Sequence, residues 1–203
     1  MKEKNMFKIF HVQLKTMVEV YGTKKVDNLL STFLSSQNND VTQFLIKKAI
    51  IFEKSNKSTT YLILGIHNEE LEILAYYTLA IKSFRFIGVS RSSKKKIVGQ
   101  EHRDDNYPSI LVGQVGRNDN ASYKIEGKEI FKSIFEKIIE TISLIGGTKF
   151  IYIESINCDK VIKRYENYGF KKLMLANGKP SLTTDNLVQM ILPVEKLIEI
   201  VKF

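Results

Sequence analysis

The sequence has 203 residues, of which 43% are apolar, and a formal net charge of +9 at pH 7. This length fits one domain with a substantial core, and no apolar run is long enough to span a bilayer. Residues 1–5 lack the apolar stretch of a signal peptide, and Cys158, the single cysteine, excludes an internal disulfide. We therefore expect a cytoplasmic protein without a membrane partner. The positive charge favours a polyanionic partner. The open alternative is that the charge has no function and only reflects a lysine-rich proteome.

The first 81 residues are expected to form a strand, two helices and a β-hairpin. Residues 7–12 alternate weakly between apolar and polar side chains, as a strand does. Helical spacing of apolar residues predicts one helix over 26–34 and a second that follows Asp40 as its N-cap. Two apolar runs, 61–66 and 71–81, are separated by a short polar segment whose length is typical of a β-hairpin.

A basic segment at about 88–107 follows the hairpin and is predicted to be a loop insertion. A loop of this size inside a compact domain is usually functional or disordered. Its basic side chains either face solvent without a partner or contact phosphate groups. They are Arg91, Lys94, Lys95, Lys96 and Arg103.

The second half of the chain predicts two parallel strands connected by a long helix. Residues 109–116 form a short apolar run with glycines, and residues 150–154 form another. Between them, a helix that opens at about residue 124 repeats isoleucine every four residues and so presents one apolar face. Strands separated by a helical pattern indicate a parallel pair with a crossover helix. Ligands of such units bind at strand C-terminal ends and helix N-termini.

Glycine and proline mark the ends of the later elements. Gly146 and Gly147 are expected to end the long helix, since glycine readily adopts the left-handed conformation found there. Residues 187–192 predict a last strand, and Pro193 can begin a terminal helix because proline tolerates the first helical position. No internal repeat interrupts this order.

Three stretches spread over residues 44–190 carry a family resemblance. They are the paired runs Thr60-Tyr-Leu-Ile-Leu and Ile73-Leu-Ala-Tyr-Tyr-Thr-Leu-Ala, the run Leu111-Val-Gly-Gln-Val-Gly-Arg117, and the segment from Cys158 to Gly169-Phe170 that contains Tyr165. They resemble the central hairpin, the strand beside the acyl chain and the closing motif of the GNAT superfamily of acyl-CoA-dependent N-acetyltransferases, GNAT-type toxins in particular. The resemblance implies one α/β (α+β) domain over residues 1–203. It also implies a mixed, mostly antiparallel sheet with a splayed parallel strand pair and helices on both faces.

The pyrophosphate-binding motif of the family is altered in this sequence. The family has Gln or Arg, two residues, Gly, one residue, and then Gly or Ala. Glu126, Glu129 and Phe131 occupy those three positions here, and Gly127 stands at a neighbouring one. Small residues let backbone N–H groups approach an anion at a helix N-terminus. Carboxylates beside a pyrophosphate would repel it unless they point outward, so the affinity for the cofactor is expected to be lowered.

The resemblance assigns the site residues, with acetyl-CoA as co-substrate and no metal. Tyr165 matches the tyrosine that protonates the departing thiolate, a step for which a phenol within hydrogen-bond reach is suited. The alternative is an amphipathic tyrosine packed at the sheet edge. His11, His67 and His102 are scattered without cysteine or carboxylate partners at ligand spacing. The cofactor contacts are assigned to Val115, Gly116, Arg117, Glu126, Gly127, Lys128, Glu129 and Cys158.

Two of these cofactor assignments have an ordinary structural alternative. Val115 and Gly116 would offer backbone groups to the thioester and the pantetheine arm, or they belong to a plain strand with a glycine. Cys158 stands where many relatives have asparagine, and a lone cysteine is more often a small buried hydrophobic residue than a nucleophile. Acyl transfer of this type needs no covalent step at a cysteine.

The acceptor is expected to be a primary amine. No clear general base accompanies the predicted thioester site, although Glu154 at a strand end is a candidate. An α-amino group, with a pKa of about 7.7–8.0, is already partly neutral, whereas a lysine amine at about 10.4 needs a base. Aminoacyl-tRNA carries such an amine on a polyanionic body. A peptide N-terminus and a small polyamine remain open as acceptors.

A second hypothesis is a GNAT-fold module without turnover, which either binds acyl-CoA weakly or serves as an interaction partner. Glu129 and Phe131, in place of the family's small residues, motivate it. The sequence leaves the oligomeric state open, with a homodimer among the alternatives.

Overall fold

The computed structural model describes residues 8–67, 70–101 and 103–201. Within these ranges the chain forms seven strands and eight α-helices. The strands are β1 (Lys8–Gln13), β2 (Thr59–His67), β3 (Glu70–Arg85), β4 (Asn106–Arg117), β5 (Phe150–Ser155), β6 (Lys171–Lys172) and β7 (Val188–Pro193). The helices are α1 (Leu14–Tyr21), α2 (Thr23–Leu30), α3 (Asn39–Lys47), α4 (Ala49–Lys54), α5 (Arg91–Val98), α6 (Gly127–Ile145), α7 (Asp159–Asn167) and α8 (Val194–Val201). The segment 1–5, the turn residues 68–69 and His102 lie outside the described residues.

The strands form one sheet in the order β1-β2-β3-β4-β5-β7-β6. The pairs β1–β2, β2–β3, β5–β7 and β6–β7 are antiparallel, and β4–β5 is parallel. The predicted fold class, a mostly antiparallel sheet with one parallel pair, is confirmed. The two paired strands of the β-hairpin and the strands over 109–116, 150–154 and 187–192 are confirmed with it, with shifts of a few residues at their ends. The strand predicted over 7–12 is confirmed for its described part, from residue 8 onward.

The parallel pair is short. Ile110 pairs with Ile151 and Leu111 with Tyr152, and the register ends there. Both strands continue beyond this point, as the bounds of β4 and β5 show. The prediction of adjacent parallel strands is therefore confirmed.

The chain divides into two compact units, Met1–Ala80 with Gly113–Ile130 and Ile81–Val112 with Phe131–Phe203. The interpretation of the chain as a single domain stays a prediction. One cluster of buried residues in the first unit is aliphatic apart from two rings, and it contains Leu14, Met17, Val26, Leu30, Phe33, Val41, Leu45, Ala49, Leu62, Leu64, Ile73 and Tyr76. One cluster in the second unit is largely aromatic and contains Phe84, Phe86, Val98, Tyr107, Phe150, Tyr152, Leu173 and Ile191.

The helices of the first unit differ from the sequence prediction in number and in their ends. α1 was not predicted, and α2 ends at Leu30 rather than at residue 34. The N-cap of α3 is Asn38, whose side-chain oxygen accepts the N–H of Asp40 at 3.1 Å. The prediction of Asp40 as the cap was wrong, because its carboxylate lies in the first turn, where it still favours the positive end of the helix dipole.

The basic segment is not a loop, so that prediction was wrong. It folds as α5 and a short 3₁₀ turn, Gly99–Glu101. Ser90 caps α5 by accepting the N–H of Ser93 at 3.2 Å, and Val98 enters the core of the second unit. Lys94 is only 7% exposed, and its ammonium bonds the Asp105 carboxylate at 2.6 Å. A cap and inward-facing residues at helical spacing therefore order this segment.

α6 keeps the predicted isoleucine stripe. It begins at Gly127 rather than at about residue 124, and Ile130, Ile134 and Ile138 are buried. Gly146 has φ +63°, and its N–H donates to the carbonyl of Ile142 at 2.8 Å. This is the glycine ending that the sequence predicted.

Candidate active site and cofactor-binding residues

Tyr165 lies on α7, a helix anchored by one buried residue. The amides of Val161 and Ile162 donate to the carbonyl of Cys158 at 3.0 and 2.9 Å, which starts the helix. Ile162 is 2% exposed, and Tyr165, three positions later, shares its face of the helix. The Tyr165 ring is consequently turned inward and partly buried.

Tyr165 belongs to an aromatic cluster in the second unit, defined here as Phe131, Phe135, Tyr165, Tyr168 and Phe170. The rings of Phe131 and Tyr165 meet edge to face, with centroids 5.9 Å apart at 74°. Phe170 contacts Tyr165 in a similar way at 6.3 Å. Phe131 also stacks on Tyr168 at 4.1 Å and 15°. Edge-to-face and offset-stacked geometries are the favourable ones for aromatic pairs, so the cluster holds its rings in defined orientations.

Burial raises the pKa of the Tyr165 phenol above its usual value of 10.0. The positive charge of Arg164 lowers this pKa, and Tyr168 raises it, but both effects are smaller than that of burial. The raised pKa keeps Tyr165 protonated at neutral and mildly alkaline pH. In this state the phenol can give up a proton and cannot act as a general base.

Three predicted cofactor residues lie at the end of β4. Val115 is partly buried, Gly116 is buried and Arg117 is exposed. A Cβ on Gly116 would lie 2.4 Å from Val41, 2.8 Å from Tyr76 and 2.9 Å from Phe33. Close packing therefore requires glycine at this position, whether or not a ligand is bound.

Asn118, directly after β4, was not singled out from the sequence. It is 3% exposed, and its side-chain NH₂ donates to the carbonyl of Ile73 at 2.7 Å. Its side-chain oxygen accepts the N–H groups of Leu34 and Asn120, each at 3.0 Å. The signal in the sequence, a polar Asn-Asp-Asn run after a strand, predicts only a turn. The structure shows that the turn is fixed to the rest of its unit.

Asp119 continues this attachment of the segment between β4 and α6. Its carboxylate accepts both the N–H and the hydroxyl of Ser36, at 2.8 and 2.6 Å. These hydrogen bonds hold the pKa of Asp119 below its usual value. Lys124 donates to the backbone carbonyl of Asp119. These hydrogen bonds hold in place the segment that connects β4 to the start of α6.

The start of α6 carries the altered pyrophosphate motif. The carboxylate of Glu129 accepts the N–H of Glu126 at 2.9 Å, which is half of a capping box. The carboxylate of Glu126 pairs with Lys128 at 2.9 Å, and this hydrogen bond raises the pKa of Lys128. The first amides of a helix and a nearby ammonium group suit a phosphate. These groups suit a pyrophosphate, but the carboxylate of Glu129 would compete with it for backbone N–H groups at this helix start.

The two remaining candidates lie on either side of the turn between β5 and α7. Cys158 is exposed at the N-cap position of α7, so the alternative of a buried cysteine was wrong. Glu154 is partly buried, and its carboxylate accepts the side-chain NH₂ of Gln189 at 3.4 Å. Burial and the charge of Glu154 raise the pKa of Tyr152 to about 12. In the described part of the chain, no three His, Cys, Asp or Glu side chains group together as metal ligands.

The fold is the GNAT fold, as the sequence resemblance implied. No protein-family model and no curated protein matches the sequence. Among solved structures, the chain is similar to a mutant of KacT in which phenylalanine replaces a tyrosine, with a TM-score of 0.69, 16% identity, and coverage of 95% of this chain and 98% of that one. It is also similar to AtaT complexed with acetyl-methionyl-tRNAfMet (TM-score 0.67, 20% identity, 97% and 100% coverage). AtaTR bound with AcCoA gives a TM-score of 0.63, with 16% identity and coverage of 94% and 96%.

These TM-scores and coverages establish a shared fold over nearly the whole chain. The fold predicted from the three sequence stretches is confirmed. No helix among the described residues is both long and apolar enough to cross a membrane.

Proposed function

We propose that the chain is an acyl-CoA-dependent N-acetyltransferase that moves the acetyl group of acetyl-CoA to a primary amine. The observation that carries the proposal is Tyr165, a partly buried phenol whose pKa is raised by burial. It lies within a fold shared with AtaT, which has been solved with AcCoA in AtaTR and with acetyl-methionyl-tRNAfMet.

The proposed reaction needs one proton at the leaving group. Acetyl-CoA supplies the thioester, whose carbonyl carbon forms a bond to the amine nitrogen as the carbon–sulfur bond breaks. Tyr165 gives its phenolic proton to the departing sulfur, and the proton lost by the amine nitrogen returns to the phenolate through solvent. General-acid assistance of this kind is typically worth about 10²–10⁴-fold in rate.

The cofactor contacts are proposed for the two segments and the one further residue, Cys158, that the sequence resemblance assigned. Backbone groups of Val115 and Gly116 would face the pantetheine arm. The first amides of α6, with Gly127 and Lys128, would hold the pyrophosphate. Arg117 and Cys158 are exposed, which is compatible with contact to a ligand. Glu126 and Glu129 oppose binding by their charge.

An α-amine is the proposed acceptor, and aminoacyl-tRNA is the proposed carrier. The pKa of an α-amine, about 7.7–8.0, leaves part of it neutral at pH 7 without a strong base. A carrier with many phosphates matches the net charge of +9. A peptide N-terminus or a polyamine is the alternative outcome of an acceptor screen.

The outer face of α5 supports a polyanionic carrier. Arg91, Lys95 and Lys96 are exposed on this helix, which has no acidic residue. Lys94 points inward to Asp105 and stabilises the fold instead.

Neutralising Lys95 and Lys96 together should weaken tRNA binding. It should also reduce the slope of the logarithm of the binding constant against the logarithm of the salt concentration, by about one unit for each lost phosphate contact. The matched control is Lys94→Met, which should lower stability and leave the salt slope unchanged. An unchanged slope in the double variant would leave this face as ordinary solvated surface.

The test of the catalytic role is Tyr165→Phe. This variant removes only the hydroxyl, so folding and binding of coenzyme A should persist while kcat falls by about 10²–10⁴-fold. A change confined to KM would indicate a binding role. Full kcat in the variant would exclude Tyr165 as the proton donor.

The second candidate function is a non-catalytic module, and the capping contact of Glu129 favours it. Glu129→Gln keeps an oxygen that can accept the N–H of Glu126 and removes the charge. If the chain binds coenzyme A at this helix start, the variant should bind it about 2- to 5-fold more tightly, the equivalent of about 0.3–1 kcal/mol. At 100 times the dissociation constant, coenzyme A should stabilise the fold by about 2.7 kcal/mol. Absence of binding by both proteins would support the module. Either proposed function is compatible with a homodimer, and the molecular mass from light scattering would show whether one forms.

A further inference from the structure

Phe131 stands where the sequence resemblance expects glycine or alanine. A ring at this position would be an obstacle if it faced the cofactor. It is instead 5% exposed and contacts the Tyr165, Tyr168 and Phe170 rings. The substitution therefore changes what the second turn of α6 packs against.

We propose that Phe131 is a positioning residue that fixes the ring of Tyr165 and keeps water away from it. The proposal rests on the proposed function, in which Tyr165 donates the proton. Its basis is the edge-to-face contact between the two rings at 5.9 Å, combined with the stacking of Phe131 on Tyr168 at 4.1 Å.

The contacts of Phe131 restrain Tyr165 in two ways. The edge-to-face contact opposes rotation of the phenol, because aromatic pairs favour defined geometries. The stack on Tyr168 ties Phe131 to the C-cap residue of α7, the helix that carries Tyr165. Phe170 adds a second edge-to-face contact with Tyr165 at 6.3 Å and also contacts Phe131 at 6.3 Å, so the three rings pack against one another. A proton donor must lie within hydrogen-bond distance of its acceptor, so restraint of the ring contributes to the rate.

Exclusion of water has a separate, measurable consequence. The groups that act on the titration of Tyr165 are Arg164 and Tyr168, and burial outweighs both. A smaller side chain at position 131 admits water beside the phenol. The pKa of Tyr165 should then fall towards 10, while Arg164 and Tyr168 remain in place.

The test compares Phe131→Leu with Phe135→Leu. Phe135 packs against Phe131 and Phe170 and makes no ring contact with Tyr165 among the described residues. Both variants lose a buried ring, but only the first loses the contact with Tyr165. The pKa of Tyr165 is measured by NMR of ¹³Cζ-labelled tyrosine, with Tyr165→Phe used to assign the signal.

Phe131→Leu should lower the pKa of Tyr165 and reduce kcat by up to about 10²-fold with little change in KM. Phe135→Leu should leave both quantities near those of the parent. In the Tyr165→Phe background, Phe131→Leu should cause no further loss of kcat. If Phe131→Leu does not fold, Phe131→Met is measured in its place. Equal pKa values in parent and variant, or additive losses of kcat, would overturn the proposal. An active Tyr165→Phe would instead refute the proposed proton donor.

Discussion

Gly116→Ala should destabilise the first unit although alanine differs from glycine by only one methyl group. The new Cβ would lie 2.4 Å from Cγ1 of Val41, 2.8 Å from Cε1 of Tyr76 and 2.9 Å from Cζ of Phe33. All three neighbours are buried. Tyr76 cannot retreat easily, because its hydroxyl donates to the carbonyl of Val41 at 2.6 Å. The strand or its neighbours must therefore shift.

The expected loss is about 1–3 kcal/mol, the usual cost of one extra methyl group in a packed core. The nearest atom belongs to Val41, so Val41→Ala offers a direct compensation. Alone, Val41→Ala should cost about 2 kcal/mol for the two lost methyl groups. In the double variant the new methyl group occupies part of the vacated space. The combined loss should then be smaller than the sum of the single losses by about 1 kcal/mol.

Urea denaturation of the parent, both single variants and the double variant measures these free energies of unfolding. The slope with urea should stay constant, so that midpoints report stability directly. A neutral Gly116→Ala would show that the site is looser than its distances indicate. Strict additivity would show that Val41 is not the obstacle.

Two other buried polar groups give predictions of the same kind. Burial raises the pKa of Glu53 above 4.5 in the folded state. The contribution of Glu53 to the free energy of unfolding is therefore fully present below pH 4.5 and is lost as the pH rises through the folded-state pKa. Glu53→Gln should abolish this decline in a urea series from pH 4 to 8, and an equal decline in the variant would contradict it. Asn118→Ala should cost at least about 2 kcal/mol, because it leaves the carbonyl of Ile73 and the N–H of Leu34 unpaired. A loss below about 0.5 kcal/mol, measured in urea, would mean that water replaces the amide.

The fold was predictable wherever the sequence shows a clear periodicity of apolar residues or a clear signal for the end of a helix. The isoleucine stripe of α6, the glycines after it and the paired runs of the hairpin each contain a local pattern that survives in the structure. α5 was missed because its surface residues are lysines and serines. Its order depends on the Ser90 cap and on Lys94, whose partner Asp105 lies eleven positions away. Local patterns cannot show such a pairing.

The sequence resemblance proposed the residues of the candidate site, whereas their contacts become visible only in the structure. The motif around Tyr165 gave the position of the tyrosine, whereas its neighbour Phe131 lies on another helix. Glu129 was expected to repel an anion, but the sequence did not predict that it would cap its own helix. Gly116 was assigned to the cofactor, and its packing against Val41 became visible only in three dimensions.

Acetyl transfer to an α-amine is the measurement that tests the proposed function most directly. The protein is incubated with labelled acetyl-CoA and aminoacyl-tRNA, and the label on the amino acid is followed over time, with deacylated tRNA as the control. We predict transfer to the aminoacyl-tRNA alone, with kcat reduced about 10²–10⁴-fold in Tyr165→Phe. If the parent protein transfers no label to this acceptor, to a peptide N-terminus or to a polyamine, the proposed acetyltransferase activity is contradicted.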